Sequence, residues 1–388
     1  MSHNNTVLQQ LLSFVPRTKL EALTGQHKSD AGCRTMNTWQ QFMLLLFAQA
    51  NQCESLRDIE AVWQSQQSKW YHLGIESVSR STLSDANNRR DPVIFEELFF
   101  EVLKRVRPTL SRKEYSFSND LYHLDGSLVT LVYSLFDWAK YRKTKGAIRM
   151  HTLFCGTEQI PCWMNITDGK KHEIRVAKES WESWNLPKGS ILCFDRGYVD
   201  YAWWDKLNAA GIFWITREKK NMHFFATKQF ESDHPHVIKD EEVWCVQAED
   251  KYPKAMRRIE WYNPLEDEII VFITNNKILA PEQIAEAYKA RWDIELFFKW
   301  IKQHLRIKSF FGTSQKAVMS QIWIALIYFL ILSYIKAKAK LTQTLFILSK
   351  VFAQALFERI HLIELFYIRN KKGLSTLSDR ASPQLALF

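Results

Sequence analysis

Three acidic residues stand where a lone carboxylate is chemically useful. Asp125 lies within the alternating run LYHLDGSLVTLV, between Leu124 and Gly126, where an unpaired carboxylate is costly to bury. Asp195 follows the apolar run ILCF, which reads as a buried strand. It thereby occupies the carboxyl end of a strand, where open α/β sheets carry their working residues. Glu295 belongs to the helical text PEQIAEAYKARWDIELFFKWIKQHLRIK. Singly, each aspartate reads equally well as a cap or turn residue. Together, two strand-borne Asp and one helix-borne Glu make an oxygen-only donor set suited to Mg²⁺ or Mn²⁺ rather than zinc. Two such ions about 4 Å apart can activate an attacking oxygen and stabilise the leaving oxygen of an in-line phosphoryl displacement.

The segment carrying Glu295 opens at Pro281, a residue suited to a first helical turn, and its pattern predicts one helix to about Ile307. At about 100° per residue, Tyr288, Arg291, Glu295, Lys299 and Lys302 share an arc of about 80°. Ala290, Ile294, Leu296, Phe297, Trp300 and Ile301 fall on the opposite, core-facing side. A solvated helix laced with Arg291–Glu295 and Glu295–Lys299 ion pairs is the plain alternative.

Residues 1 to about 115 read as helical, with Trp39, Phe42, Met43, Leu46 and Phe47 at helical spacing. Near Ser79 the text VSRSTLSDANNRRDP offers a cap at Ser79 or Ser81 and the cations Arg80, Arg89 and Arg90. It is similar to the second half of a helix-turn-helix, and equally to a solvated surface helix. From about Tyr115 the period becomes two. Leu121 to Val132, Ala147 to Phe154 and Cys162 to Ile166 read as strands, a helix follows near Glu173, and ILCF and GIFWIT are buried strands. Residues 221 to 279 read as a β-rich insertion without helical patterning.

Lys plus Arg number 52 against 42 Asp plus Glu in 388 residues, a surplus that suits a polyanionic partner. Gly (12) and Pro (10) are scarce, which excludes collagen-like and low-complexity chains. Six cysteines, without C-x-x-C pairs, argue against a zinc ribbon or disulfide scaffold and for reduced thiols. Ala317 to Ile335 carries no charge over 19 residues. That is long enough for a membrane span, but a fully buried helix has the same hydropathy, and no membrane role is expected.

Tyr288, Arg291, Glu295 and Lys302 match a Y-x2-R-x3-E-x6-K signature, and the chain thereby resembles DDE transposases of bacterial insertion sequences. The DGS around Asp125 and the DRGY around Asp195 are similar to the contexts of that family's two aspartates, and SLRDIEA, AKYRKTKGA and TDGKKHE are similar to its members' text. The resemblance implies an α/β fold. It consists of a ribonuclease-H-like mixed-sheet core with a β-rich insertion, preceded by an all-helical DNA-binding region and followed by C-terminal helices. The boundaries expected are 1–115 for the helical DNA-binding domain, 116–340 for the catalytic domain and 341–388 for the C-terminal helices and tail.

The resemblance further implies that Asp125, Asp195 and Glu295 hold two Mg²⁺ ions, replaceable by Mn²⁺. Tyr288, Arg291 and Lys302, joined by Lys299, would contact phosphates beside the scissile bond, and the loop cations Lys143 and Lys145 would line the same duplex. Trp261, Tyr262 and Trp292 are candidates to stack a flipped base. Phosphate contacts position DNA without reading it, so end recognition is assigned to the helical region through Arg89 and Arg90. The expected partners are double-stranded element ends and target DNA, bound by a cytoplasmic homodimer in a synaptic complex. A catalytically inactive transposase descendant and a host nuclease on the same core remain compatible with these residues.

Overall fold

A computed structural model describes residues 5–69, 73, 77–132, 134–142, 145–248, 250–304 and 310–367. Six helices open the chain: α1 (Val7–Ser13), α2 (Arg17–Gln26), α3 (Thr38–Asn51), α4 (Leu56–Ser65), α5 (Arg80–Arg89) and α6 (Val93–Val106). The starts of four of them, α1, α3, α4 and α5, follow from side-chain caps at Thr6, Asn37, Ser55 and Ser79. Asn37 and Gln40 form a reciprocal capping box on α3, and the Ser79 side chain accepts from the Thr82 N–H at the start of α5.

Strands β1 (Leu121–Leu131), β2 (Lys140–Arg142), β3 (Lys145–Cys155) and β4 (Ile160–Asp168) come next, then α7 (Glu173–Ser180), β5 (Ile191–Phe194), α8 (Tyr201–Ala209) and β6 (Phe213–Arg217). The insertion contributes β7 (Phe224–Gln229), β8 (Val237–Cys245), β9 (Met256–Asn263) and β10 (Glu268–Thr274). Helices α9 (Pro281–Lys289), α10 (Trp292–His304), α11 (Gln315–Lys338), α12 (Leu345–Ala355) and α13 (Glu364–Tyr367) complete the described chain.

The strands form one mixed sheet in the order β2-β3-β1-β5-β6-β10-β9-β8-β7, with β4 pairing the other edge of β3. Three antiparallel strands, β4, β3 and β1, followed by β5 and β6 running parallel to β1, give the ribonuclease-H-like core. The insertion is no separate unit: β10 pairs antiparallel with β6, so it extends the same sheet. Alternation of side chains across the pleat explains how both faces are covered. Leu192 and Phe194 join one apolar cluster with Trp203, Trp204 and Trp214, whereas Ile191 and Cys193 join another with Ile284, Ala287 and Tyr288.

Helix α11 is the apolar segment that reads as a possible span. It is buried around most of its circumference and packs against α3, α5, α6 and α12, the behaviour of a helix that is apolar on every side in a protein core. Each Leu, Ile or Phe buried along it adds roughly 1.5–3 kcal/mol relative to an exposed one. One apolar cluster runs through the N-terminal helices, α10, α11 and α12, and the packing therefore crosses the boundaries expected near 115 and 340. The first helix meets the turn after α12, since the Val7 N–H donates to the Glu358 carbonyl at 3.0 Å.

The single helix expected from Pro281 to Ile307 is instead two. Helix α9 ends at Lys289, and i→i−3 bonds from the Arg291, Asp293 and Ile294 N–H groups mark the break before and into α10, which begins at Trp292. Residues 305–309 lie outside those described. Leu296, which the helical wheel places on the core-facing side, is instead 48% exposed.

Candidate active site

Register brings the two aspartates together. In the parallel pair β1–β5, Leu124 is aligned with Phe194, so the next residue of each chain, Asp125 and Asp195, emerges beside the other. Asp195 stands there because the four-residue strand before it is buried throughout, and the chain turns as soon as polar residues begin. Its carboxylate accepts the Gly197 N–H at 2.7 Å and caps the turn Arg196–Tyr198. The Asp125 carboxylate accepts the Gly126 N–H at 2.7 Å.

Helix α10 supplies the third acid. Arg291 lies at the kink between α9 and α10 and reaches two carboxylates: its Nη1 is 3.5 Å from Asp125 Oδ2, and its Nη2 donates to Glu295 Oε1 at 2.5 Å. The guanidinium also lies 5.8 Å from the Tyr288 ring centroid, a cation–π distance. Tyr288 itself packs on Phe272 and is nearly buried. Lys299 is exposed and Lys302 half-buried on α10.

The electrostatics are those of crowded acids. Burial pushes the Asp125 carboxyl up to about 7; Arg291 and the Gly126 N–H oppose the rise, while Asp195 and Glu173 add to it. Glu173 is likewise raised, by burial first and by Asp195, against the pull of Arg149. Beneath them, His123 is fully buried and held neutral, its pKa lowered to about 3 by burial and by Arg291 and Lys113.

Glu173 is the site residue that its sequence setting conceals. It opens α7 within an ordinary charged stretch, TDGKKHE. A signal was nonetheless present, since glycines follow both aspartates closely, at 126 and 197. A methyl group on Gly126 would lie 2.8 Å from Glu173 Cγ, and one on Gly197 would lie 3.5 Å from Glu173 Oε2. Gly126 therefore leaves room for this side chain, while Gly197 lies at ordinary contact distance from it and makes room for the Asp195 carboxylate.

Other expected contacts divide. Arg90 is not a surface cation: it is 7% exposed, pairs with Asp30 at 3.0 Å, donates to Gln41 and bonds to the Met36 carbonyl. Its neighbour Asn87 is buried too, against Gln41. Arg89 is exposed, and its carbonyl accepts from Lys316 on α11. Lys143 lies outside the described residues, as does the Lys145 side chain on β3. Of the stacking candidates, Trp261 rests against the His234 and His236 rings on the insertion, and Trp292 projects from α10.

Among the described residues, no group of three or more His, Cys, Asp or Glu side chains stands at metal-holding spacing. The donor chemistry still fits a hard divalent cation. The acids offer only oxygen, two of them are adjacent, and Arg291 separates the third from Asp125. A further sign is the Tyr198 hydroxyl, buried and without a hydrogen-bond partner in the same neighbourhood.

Fold and site define a chain whose aspartates sit side by side on two inner strands of a ribonuclease-H-like sheet. It belongs to the transposase DDE domain family, whose model matches residues 118–331, more than half of the chain. A domain of unknown function matches residues 3–76. A Sinorhizobium fredii protein that carries a transposase name is 29% identical over 289 residues, which is 73% of this chain and 79% of that protein. A Synechocystis protein named for an insertion sequence element is 26% identical over 283 residues, 68% of this chain and 74% of that one. Among solved structures, a piggyBac transposase synaptic complex with hairpin DNA gives a TM-score of 0.46 at 10% identity, over 95% of this chain and 80% of that chain.

Proposed function

We propose that this protein cuts the ends of a bacterial insertion sequence and joins the freed 3′-OH ends to target DNA, with Asp125, Asp195 and Glu295 as its catalytic acids. The observation that carries the reading is the β1–β5 register that sets Asp125 beside Asp195, with Glu295 across Arg291. Mg²⁺ ions, or Mn²⁺ in their stead, held by the three acids would activate the attacking oxygen and stabilise the leaving one.

The chain's own residues do the positioning. Arg291 offers a planar, permanently charged fork for a phosphate, and Tyr288 fixes that fork from below. Lys299 and Lys302 extend the cationic face along the strand path. Family membership supports a DNA partner, and the net charge of +10 supports backbone contacts that weaken as salt rises. We place the working form in the cytoplasm as a homodimer that holds two element ends.

The test is a cleavage assay on DNA carrying the native element ends, with and without Mg²⁺, for wild type and Asp195→Asn. Cleavage by wild type alone, and only with the cation, supports the reading. Equal cleavage by the variant overturns the assignment of Asp195.

A further inference from the structure

The acids of the site come from both sides of the sheet. Asp125 faces Arg291, just before α10, whereas Glu173 starts α7, whose Val176 and Ala177 are buried in the fold. Its carboxylate nevertheless reaches the strand ends: Cγ and Oε1 close on Gly126, the residue after Asp125, and Oε2 approaches Gly197, two residues after Asp195. Arg149, from β3, donates from Nη1 to Glu173 Oε1 at 2.5 Å in a largely buried pair. This arrangement repeats that of Arg291 and Glu295, so each outer acid is held by one guanidinium. The Tyr198 hydroxyl, buried and unpartnered, lies in the electrostatic field of Asp125, Glu173 and Asp195 together.

A pair serving only to fasten α7 would not need to press its acid onto Gly126, where a methyl group would lie 2.8 Å from Glu173 Cγ and Oε1. On the reading of Asp125 and Asp195 as cation ligands, we propose that Glu173 is a fourth carboxylate of the divalent-cation site, held ready by Arg149. Glu173 would offer a carboxylate oxygen to the cation in exchange for its bond to the Arg149 guanidinium. The coordination set is then filled from α7 as well as from α10, with oxygen donors throughout.

The experiment is a Mn²⁺ titration of the full chain without DNA, read by the electron paramagnetic resonance of free Mn²⁺. The variants are Asp125→Asn, Glu173→Gln, Arg149→Met and the double variant Arg149→Met with Glu173→Gln. Glu173→Gln leaves Arg149 buried without its partner, and the double variant removes both charges and so guards against a folding failure. The proposal expects Glu173→Gln and the double variant to weaken Mn²⁺ binding about 10- to 100-fold, the loss typical of removing a group that supports a metal site. Arg149→Met is expected to bind Mn²⁺ at least as tightly as wild type.

If Asp125→Asn weakens binding but both Glu173 variants match wild type, the role of Glu173 is overturned and the aspartate site stands. If Arg149→Met loses as much as Glu173→Gln, the pair is scaffold and the proposal fails. If Asp125→Asn also binds like wild type, the cation-ligand reading fails with it.

Discussion

The Arg291 guanidinium stands between Asp125 and Glu295, 3.5 Å from the first carboxylate and 2.5 Å from the second. Its single charge lies between two acids that would otherwise repel, and it keeps Glu295 from closing on Asp125. Replacing Arg291 by Ala should lower the melting temperature without divalent ions, by the loss of about 1.5–3 kcal/mol that charged hydrogen bonds contribute. Millimolar Mg²⁺ should recover more of that loss than it adds to wild type. An Mg²⁺ response equal in the two proteins would show that arginine and cation do not serve the same carboxylates.

Asp125 should behave as a residue kept for chemistry at the expense of stability. Its carboxyl is raised to about 7, mainly by burial, so its charged form disfavours the folded state. Asp125→Asn should abolish cleavage, bind end DNA within about threefold of wild type, and raise stability at pH 8 by on the order of 1 kcal/mol. Urea midpoints read the stability; a fall in the midpoint would mean that Asp125 is a structural cap.

Arg89 and Arg90 should separate, although the sequence places them side by side. Arg90→Ala strands Asp30 and Gln41 in a buried network and should cost about 3–5 kcal/mol. Arg89→Ala should leave the urea midpoint within about 0.5 kcal/mol, the usual range for a surface change. Equal midpoints for the two variants would contradict the burial of Arg90.

Acid should weaken the fold through His151. Its pKa is lowered to about 4 from 6.5 by burial first and by Arg149 and Lys171, while its Nε2 lies 2.9 Å from Thr167 Oγ1. The unfolded chain therefore takes up its proton first, and stability falls as pH drops from about 6.5 toward 4. The slope reaches about 1.4 kcal/mol per pH unit. His151→Gln should remove its share of that slope and leave the share of His123, whose pKa is lowered to about 3; an unchanged slope would place the acid sensitivity elsewhere.

Much of this architecture was legible in the residues. Alternation exposed β1, β3 and β4, and short apolar runs exposed β5 and β6, because strands covered on both faces need unbroken hydrophobicity. The aspartates were legible for the same reason, as charges interrupting such runs. The break at Ala290 was not, since neither Gly nor Pro marks it and the apolar spacing continues through it. The burial of Arg90 was hidden because its partners, Asp30, Gln41 and Met36, lie about 50 residues or more away. Glu173 was hidden because one acid in a charged stretch has no pattern of its own; only its fit against Gly126 reveals it.

The sharpest test compares wild type with Glu295→Gln on DNA bearing the native element ends in Mg²⁺. The account predicts that the variant binds those ends with wild-type affinity, within about threefold, yet leaves them uncut while wild type cleaves. Cutting by the variant at the wild-type rate would contradict the claim that this carboxylate, across Arg291 from Asp125, is part of the catalytic centre.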